Sequence, residues 1–205
     1  MVVHANKPAL LTVLAGPDQS KFIVHKTLIC KRSDFFQAAC ARGGWKEAIE
    51  KIVRLPEIDE DIFRIYDRFI CHGVIRLLSP LPSTRKHDPS PSRNADQFFD
   101  LVVHAYALAE VIQDATFCNA LADETQAIMT QHSTIGSACT IETLCEKVSL
   151  SSKLTMLFVH KWAGLYFSKT HESTHRPAGK ELPVEFVVRI VRVLVARDEW
   201  QWLEG

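Results

Sequence analysis

The segment His171-Glu172-Ser173-Thr174-His175 has the residue types and spacing of H-E-x-x-H. On a helix, the two histidines stand one turn apart on one face and can ligate zinc, while the glutamate can act as general base for hydrolysis. That chemistry needs the helix. Here the five residues lie in a polar stretch, Arg176-Pro177 follows at once, and the residue before a proline resists helical geometry. The metzincin continuation is not met: its glycine position, 178, is Ala and its third-histidine position, 181, is Glu. The context favours a solvated loop. A zinc-dependent hydrolase built on His171, Glu172 and His175 stands as the alternative from another functional class.

Other catalytic patterns are absent from the sequence. It has no G-x-S-x-G elbow, no G-x-x-x-x-G-K-[ST] and no G-x-G-x-x-G. Gly43-Gly44-Trp45-Lys46 lacks phosphate-loop spacing and reads as a helix stop. His25 and His104 sit beside apolar residues and read as hydrogen-bonded core histidines. Trp162, Trp200 and Trp202 occupy apolar positions without interleaved Lys or Arg, which suits packing more than base stacking. No catalytic, cofactor-binding or metal-binding residue is therefore assigned, and no enzymatic activity is expected.

The six cysteines form no C-x-x-C pair. Most sit among apolar residues, where a free thiol behaves as a small hydrophobe. With no signal-peptide pattern and no N-x-[ST] acceptor, reduced thiols and a cytoplasmic or nuclear address are expected. Lys+Arg and Asp+Glu both number 24, so no general attraction to nucleic acid or to an anionic membrane is expected. A hydrophobic fraction of 47% suffices for a substantial buried core.

The elements follow from periodicity and punctuation. Leu10–Leu14 and Lys21–Val24 flank the turn signal Gly16-Pro17-Asp18 and predict a hairpin. A short helix is expected over His25–Lys31. Ser33 is placed to cap the next, whose Phe35, Phe36, Ala39 and Cys40 share a face, and Arg42 with Gly43-Gly44 suits its end. Ile52–Leu55 predicts a third strand. Asp59 predicts the cap of a helix with an apolar stripe of Ile62, Phe63, Tyr66, Phe69 and Ile70, closed by Gly73. Val74–Leu78 reads as a fourth short strand. From about 79 to 96, Pro80, Pro82, Pro89 and Pro91 lie among serines and charges and predict a disordered insert. Its Ser79-Pro80 and Ser90-Pro91 are candidate phosphorylation sites, an unmodified spacer being the plainer reading.

From Gln97 onward helices are expected. Leu101, Ala105, Leu108 and Ile112 mark one that falters near Asp114, and Phe117, Leu121 and Ile128 mark the next. Leu154, Leu157, Phe158, Trp162 and Leu165 mark a third, starting near Ser151 or Ser152, with Lys161 laying its stem along the apolar face. Pro183 and Glu185 open the last, with Val184, Val187, Val188, Val191, Leu194 and Val195 as its expected buried face.

Several of these segments carry motifs as well as periodicity. Phe22-Ile23-Val24-His25-Lys26-Thr27-Leu28 resembles the F-x-V-H-K-x-x-L signature of the BTB/POZ domain, whose final leucine position is Ile29 here. Cys30 to Phe36 is similar to that family's C-x-x-S-x-F-F segment, and Trp45-Lys46-Glu47 to its aromatic-K/R-E element. Leu55-Pro56 followed by Ile62-Phe63 is similar to its strand-to-helix step. His104 to Glu110 resembles the Y-x-L-A-[DE] helix of small fungal BTB proteins, and Leu154–Ala163 with Leu182–Phe186 resembles their helical tail. The W-L-Y-x-G element reads Phe69-Ile70-Cys71-His72-Gly73 here, without its tyrosine.

The resemblance implies an α+β fold, with a BTB/POZ-like short β-sheet flanked by α-helices and a mainly α-helical C-terminal extension. It places the BTB/POZ-like domain at residues 8–134 and the extension at 135–205. It implies a non-enzymatic protein-protein interaction module: an adaptor for a cullin-based ubiquitin ligase, or an assembly or regulatory factor. A transcription regulator acting through protein contacts is a further alternative. The implied partners are a cullin scaffold, another BTB protein or a second copy. Little chain precedes the first strand, so the family's swapped dimer is not expected. No recognition domain follows, which would leave client binding to the helical tail. His72, Val74, Arg76 and Phe117 are the implied partner-interface residues.

Overall fold

The computed structural model of the chain describes residues 9–41, 49–75, 77, 91–131, 135–167 and 181–203. Its elements run β1 (Leu10–Ala15), β2 (Ser20–His25), α1 (Lys26–Arg32), α2 (Asp34–Cys40), β3 (Ile52–Leu55), α3 (Glu60–His72), α4 (Pro91–Val111), α5 (Ala115–Gln131), α6 (Ala138–Lys147), α7 (Lys153–Phe167) and α8 (Val184–Leu203). This is an α+β chain. Two compact units divide it: Met1–Arg76 with Ala107–Ala120, and Leu77–Tyr106 with Leu121–Gly205.

The first unit is built on a three-stranded sheet of order β2-β1-β3. β1 and β2 form the expected antiparallel hairpin, with Val13 opposite Phe22 and Leu11 opposite Val24. β3 adds to the other edge of β1 in parallel, with Val13 opposite Val53 and Ala15 opposite Leu55. Side chains alternate across a strand, so Leu11, Val13 and Ala15 share one face with Val24, Val53 and Leu55, and all six are buried. Gly16 turns the hairpin at φ 75°, a left-handed conformation that costs a glycine little.

α1 and α2 form a helical pair joined through Ser33. Its backbone N–H donates to Ile29 (3.0 Å), and its hydroxyl accepts from the Phe36 N–H (3.1 Å). α2 ends at Cys40, ahead of Arg42, and Gly43-Gly44 lies outside the described residues. On α2, Phe36 and Cys40 are buried while Phe35 and Ala39 are half-buried.

α3 follows its sequence pattern closely. The Asp59 side chain accepts from the Asp61 N–H at 2.8 Å, all five stripe residues are buried, and Gly73 closes the helix in the left-handed region at φ 68°. Beyond it the expectation changes. Val74, Ile75 and Leu77 are not in a strand, and the sheet has three strands among the described residues.

The second unit is helical. α4 starts at Pro91, so the last part of the expected insert is helix. Proline suits the first helical turn because its fixed φ is already helical and its missing N–H is unneeded there. Residues 79–90 lie outside the described part. The Asp96 carboxylate accepts from the Ser137 N–H (3.2 Å), and Ser137 caps α6. Ser152 caps α7 by accepting from the Thr155 N–H (3.0 Å). Phe99 and Phe158 stack edge-to-face at 5.6 Å in this unit's core.

α8 packs on α7 with the opposite face from the one expected. Phe186 and Ile190 are buried, and Arg189 reaches back to the Met156 sulfur at 3.9 Å. The valines 184, 187, 188, 191 and 195 are 39–74% exposed, and Leu194 is half-buried. Both faces of α8 are apolar, so periodicity alone could not choose between them. Burying Phe and Ile removes more apolar area per residue than burying Val.

Candidate partner-binding site

The expected interface residues fall into three groups. His72 and Val74 are exposed at the C-terminal end of α3, Val74 to 55%. Arg76 lies outside the described residues. Phe117 is fully buried. That last result corrects the expectation: the Phe117 ring packs against Tyr66 at 5.0 Å and Phe69 at 4.9 Å, so a partner would have to displace the core to touch it.

What Phe117 does is help hold the end of α3 in place. Asp114, wholly buried, caps α5 by accepting from the Phe117 N–H at 2.9 Å. Its other carboxylate oxygen accepts from the Tyr66 hydroxyl at 3.0 Å. Burial, and then the negative charge and hydrogen bond of Asp114, hold the Tyr66 phenol protonated well above the usual range. Arg32 lies over the Phe69 ring at 4.7 Å, a cation–π contact that joins the end of α1 to α3. The Ser33 hydroxyl donates to the Ile112 carbonyl, which ties the α1–α2 junction to the end of α4.

Sequence reasoning missed Asp114 and Arg32. Asp114 had a local signal, an aspartate at a break before an apolar helical run. Its bond to Tyr66 had none, since the two residues are 48 apart in the chain.

The surface that this core supports is polar with one apolar member. Along the outer side of α3, Arg64 pairs with Glu60 and Asp61, both at 3.6 Å. Asp67 lies near Arg68 and His72; partial burial raises its carboxyl above the usual carboxylate value, and the two nearby basic groups oppose that rise. Cys71, His72 and Val74 complete the exposed end. Such a surface can offer hydrogen bonds, an imidazole and one apolar contact to another protein.

The remaining candidates are placed as follows. His25 is exposed and His104 is half-buried, its Nδ1 at 2.8 Å from the Asp100 carbonyl. Neither is the core histidine expected from its apolar neighbours. Trp162 is buried as expected, and the Lys161 ammonium reaches the Thr130 hydroxyl at 3.3 Å. His171, Glu172 and His175 lie outside the described residues. Among the described residues no group of three His, Cys, Asp or Glu is placed to hold a metal. Burial and the neighbouring Cys40 push the Cys30 thiol up to about 12, and burial with the nearby Glu185 pushes Cys145 to about 11. A thiol held protonated in this way is a poor nucleophile or metal ligand near neutrality.

Among the described residues no helix is long and apolar enough to cross a membrane. No protein-family model matches the chain, and no curated protein matches it.

Proposed function

We propose that the chain is a non-enzymatic protein-interaction module of BTB/POZ type, acting as an adaptor for a cullin scaffold through the end of α3. The observation that carries this reading is the coincidence of motif and element. The F-x-V-H-K-x-x-L segment runs along β2 into α1, and the C-x-x-S-x-F-F segment spans the Ser33 cap between α1 and α2. The Leu55-Pro56 to Ile62-Phe63 step joins β3 to α3. A short sheet with flanking helices is what the resemblance implies, and the three motifs fall at three of its junctions.

The proposed contact surface is His72 and Val74, carried on a helix end that the Tyr66–Asp114 and Phe69–Phe117 contacts support. Phe117 acts from beneath, as packing. The test is calorimetric titration of the full chain with a cullin N-terminal domain. Saturable binding at micromolar affinity or tighter is expected, weakened at least about tenfold by His72→Glu or Val74→Glu, as for a change in a central contact. Circular dichroism of both variants should match that of the parent. A folded chain that gives no binding heat would remove the adaptor role.

A further inference from the structure

The exposed valines of α8 are not scattered. Val184, Val188, Val191 and Val195 recur at spacings of four, three and four, the first-and-fourth pattern of a seven-residue repeat and the seam of a two-helix coiled coil. All four are exposed, at 74, 42, 50 and 52%. Val184, Val187, Val188 and Val191 line a groove of about 300 Å³ with Leu182 and Arg192. Among the described residues no element covers this face.

The flanks of the seam identify its occupant. Glu185 and Arg192 run along one side and are exposed. Val187 and Leu194 run along the other. In a parallel pair, each residue of one flank meets the opposite flank of its partner, so Arg192 would face a valine or leucine. In an antiparallel pair, like flanks meet. Place Val184 of one copy opposite Val195 of the other, and Val188 opposite Val191. All four seam layers are then filled. Glu185 of each copy comes opposite Arg192 of the other, and Val187 opposite Leu194. One register satisfies the seam, the charged flank and the apolar flank together.

We infer that α8 is the contact face of an antiparallel homodimer, with the Val184–Val195 seam at its centre and two symmetric Glu185–Arg192 pairs at its edge. The contact is small. About six apolar side chains per copy is fewer than the roughly 20–30 residues a side of a standard interface, so a small, reversible dimer contact is expected. Nothing in this inference depends on the cullin-adaptor reading: the two surfaces lie on different units, and loss of cullin binding leaves the dimer intact.

Sedimentation equilibrium of the full chain across a concentration series tests it. A monomer–dimer equilibrium is expected. Glu185→Arg and Arg192→Glu, each replacing two attractive contacts by two repulsive ones, should each weaken it about tenfold or more. The double variant Glu185→Arg/Arg192→Glu restores both pairs and should recover the parent constant. An equimolar mixture of the two single variants should form heterodimers more readily than either forms homodimers. Both residues are exposed, and helicity by circular dichroism confirms that the variants fold. A chain that stays monomeric throughout overturns the proposal, as does a dimer indifferent to the reversals or a double variant no better than the singles.

Discussion

Removing the Asp114 carboxylate should cost the first unit more than its share of hydrogen bonds suggests. The residue is fully buried and serves two donors, the Phe117 N–H at 2.9 Å and the Tyr66 hydroxyl at 3.0 Å. Asp114→Ala loses the cap of α5, about 1 kcal/mol. It also leaves the buried Tyr66 hydroxyl without its acceptor, about 1–3 kcal/mol more, for a total of roughly 2–4 kcal/mol. Tyr66→Phe removes one donor and leaves the cap in place, at about 1.5 kcal/mol. The double variant has neither the carboxylate nor the hydroxyl that needed it. Its cost should therefore fall about 1–2 kcal/mol short of the sum of the singles, since groups sharing one hydrogen bond are not additive. Asp114→Asn keeps an acceptor for the Phe117 N–H and an amide beside the phenol, and should cost less than half of the alanine change. Urea unfolding followed by circular dichroism on the four proteins measures the cycle. Singles that sum to the double within about 0.5 kcal/mol would refute the coupling and reduce Asp114 to a simple cap.

Gly73 sits at φ 68° with open space where a Cβ would be, so Gly73→Ala should cost only the left-handed strain, about 1 kcal/mol, seen as a lower urea midpoint with unchanged native spectra. Stability should also fall in alkali. The Cys30 and Cys145 thiols are raised by burial from 9.0 to about 12 and about 11, so above pH 9 the unfolded chain releases protons that the folded chain still holds. The stabilisation is complete below pH 9 and is lost as pH rises through 11 and 12, with a slope for each thiol below the ~1.4 kcal/mol per pH unit of a fully shielded group. Urea midpoints between pH 8 and 11.5 check this, and Cys30→Ala should flatten the decline; a flat profile in the parent would contradict it.

The legible parts of this fold are those where one local signal decides. α3 is the clearest case: Asp59 caps it, Gly73 ends it, and the five stripe residues are all buried. Ser33 was equally readable, as a small polar residue ahead of two phenylalanines. Other features were hidden. The start of α4 was obscured because prolines read as breakers, although the first turn of a helix accepts one. The burial of Phe117 depends on rings from α3, and nothing adjacent to it in the chain announces them. For the candidate site, the exposed His72 and Val74 could be placed by their positions on either side of the helix stop Gly73, while the buried network beneath them is made of long-range pairs.

The misassigned face of α8 is the most informative of these cases, because the physics that made it ambiguous also gives it meaning. A helix that buries one stripe needs only solvated residues on the other side. Val ranks below Ala, Lys, Glu and Arg as a helix former by several tenths of a kcal/mol per residue, and an exposed valine gains nothing from water. Five of them at exposed positions therefore work against an isolated helix on both counts, whereas scattered single apolar residues would call for no explanation. Their spacing converts that local disadvantage into a continuous surface, and contiguous apolar surfaces of this kind mark contact sites. Glu185 and Arg192 then restrict which contact it can be. The apolar stripe alone would accept many partners, but the charges beside it are complementary to the same helix reversed.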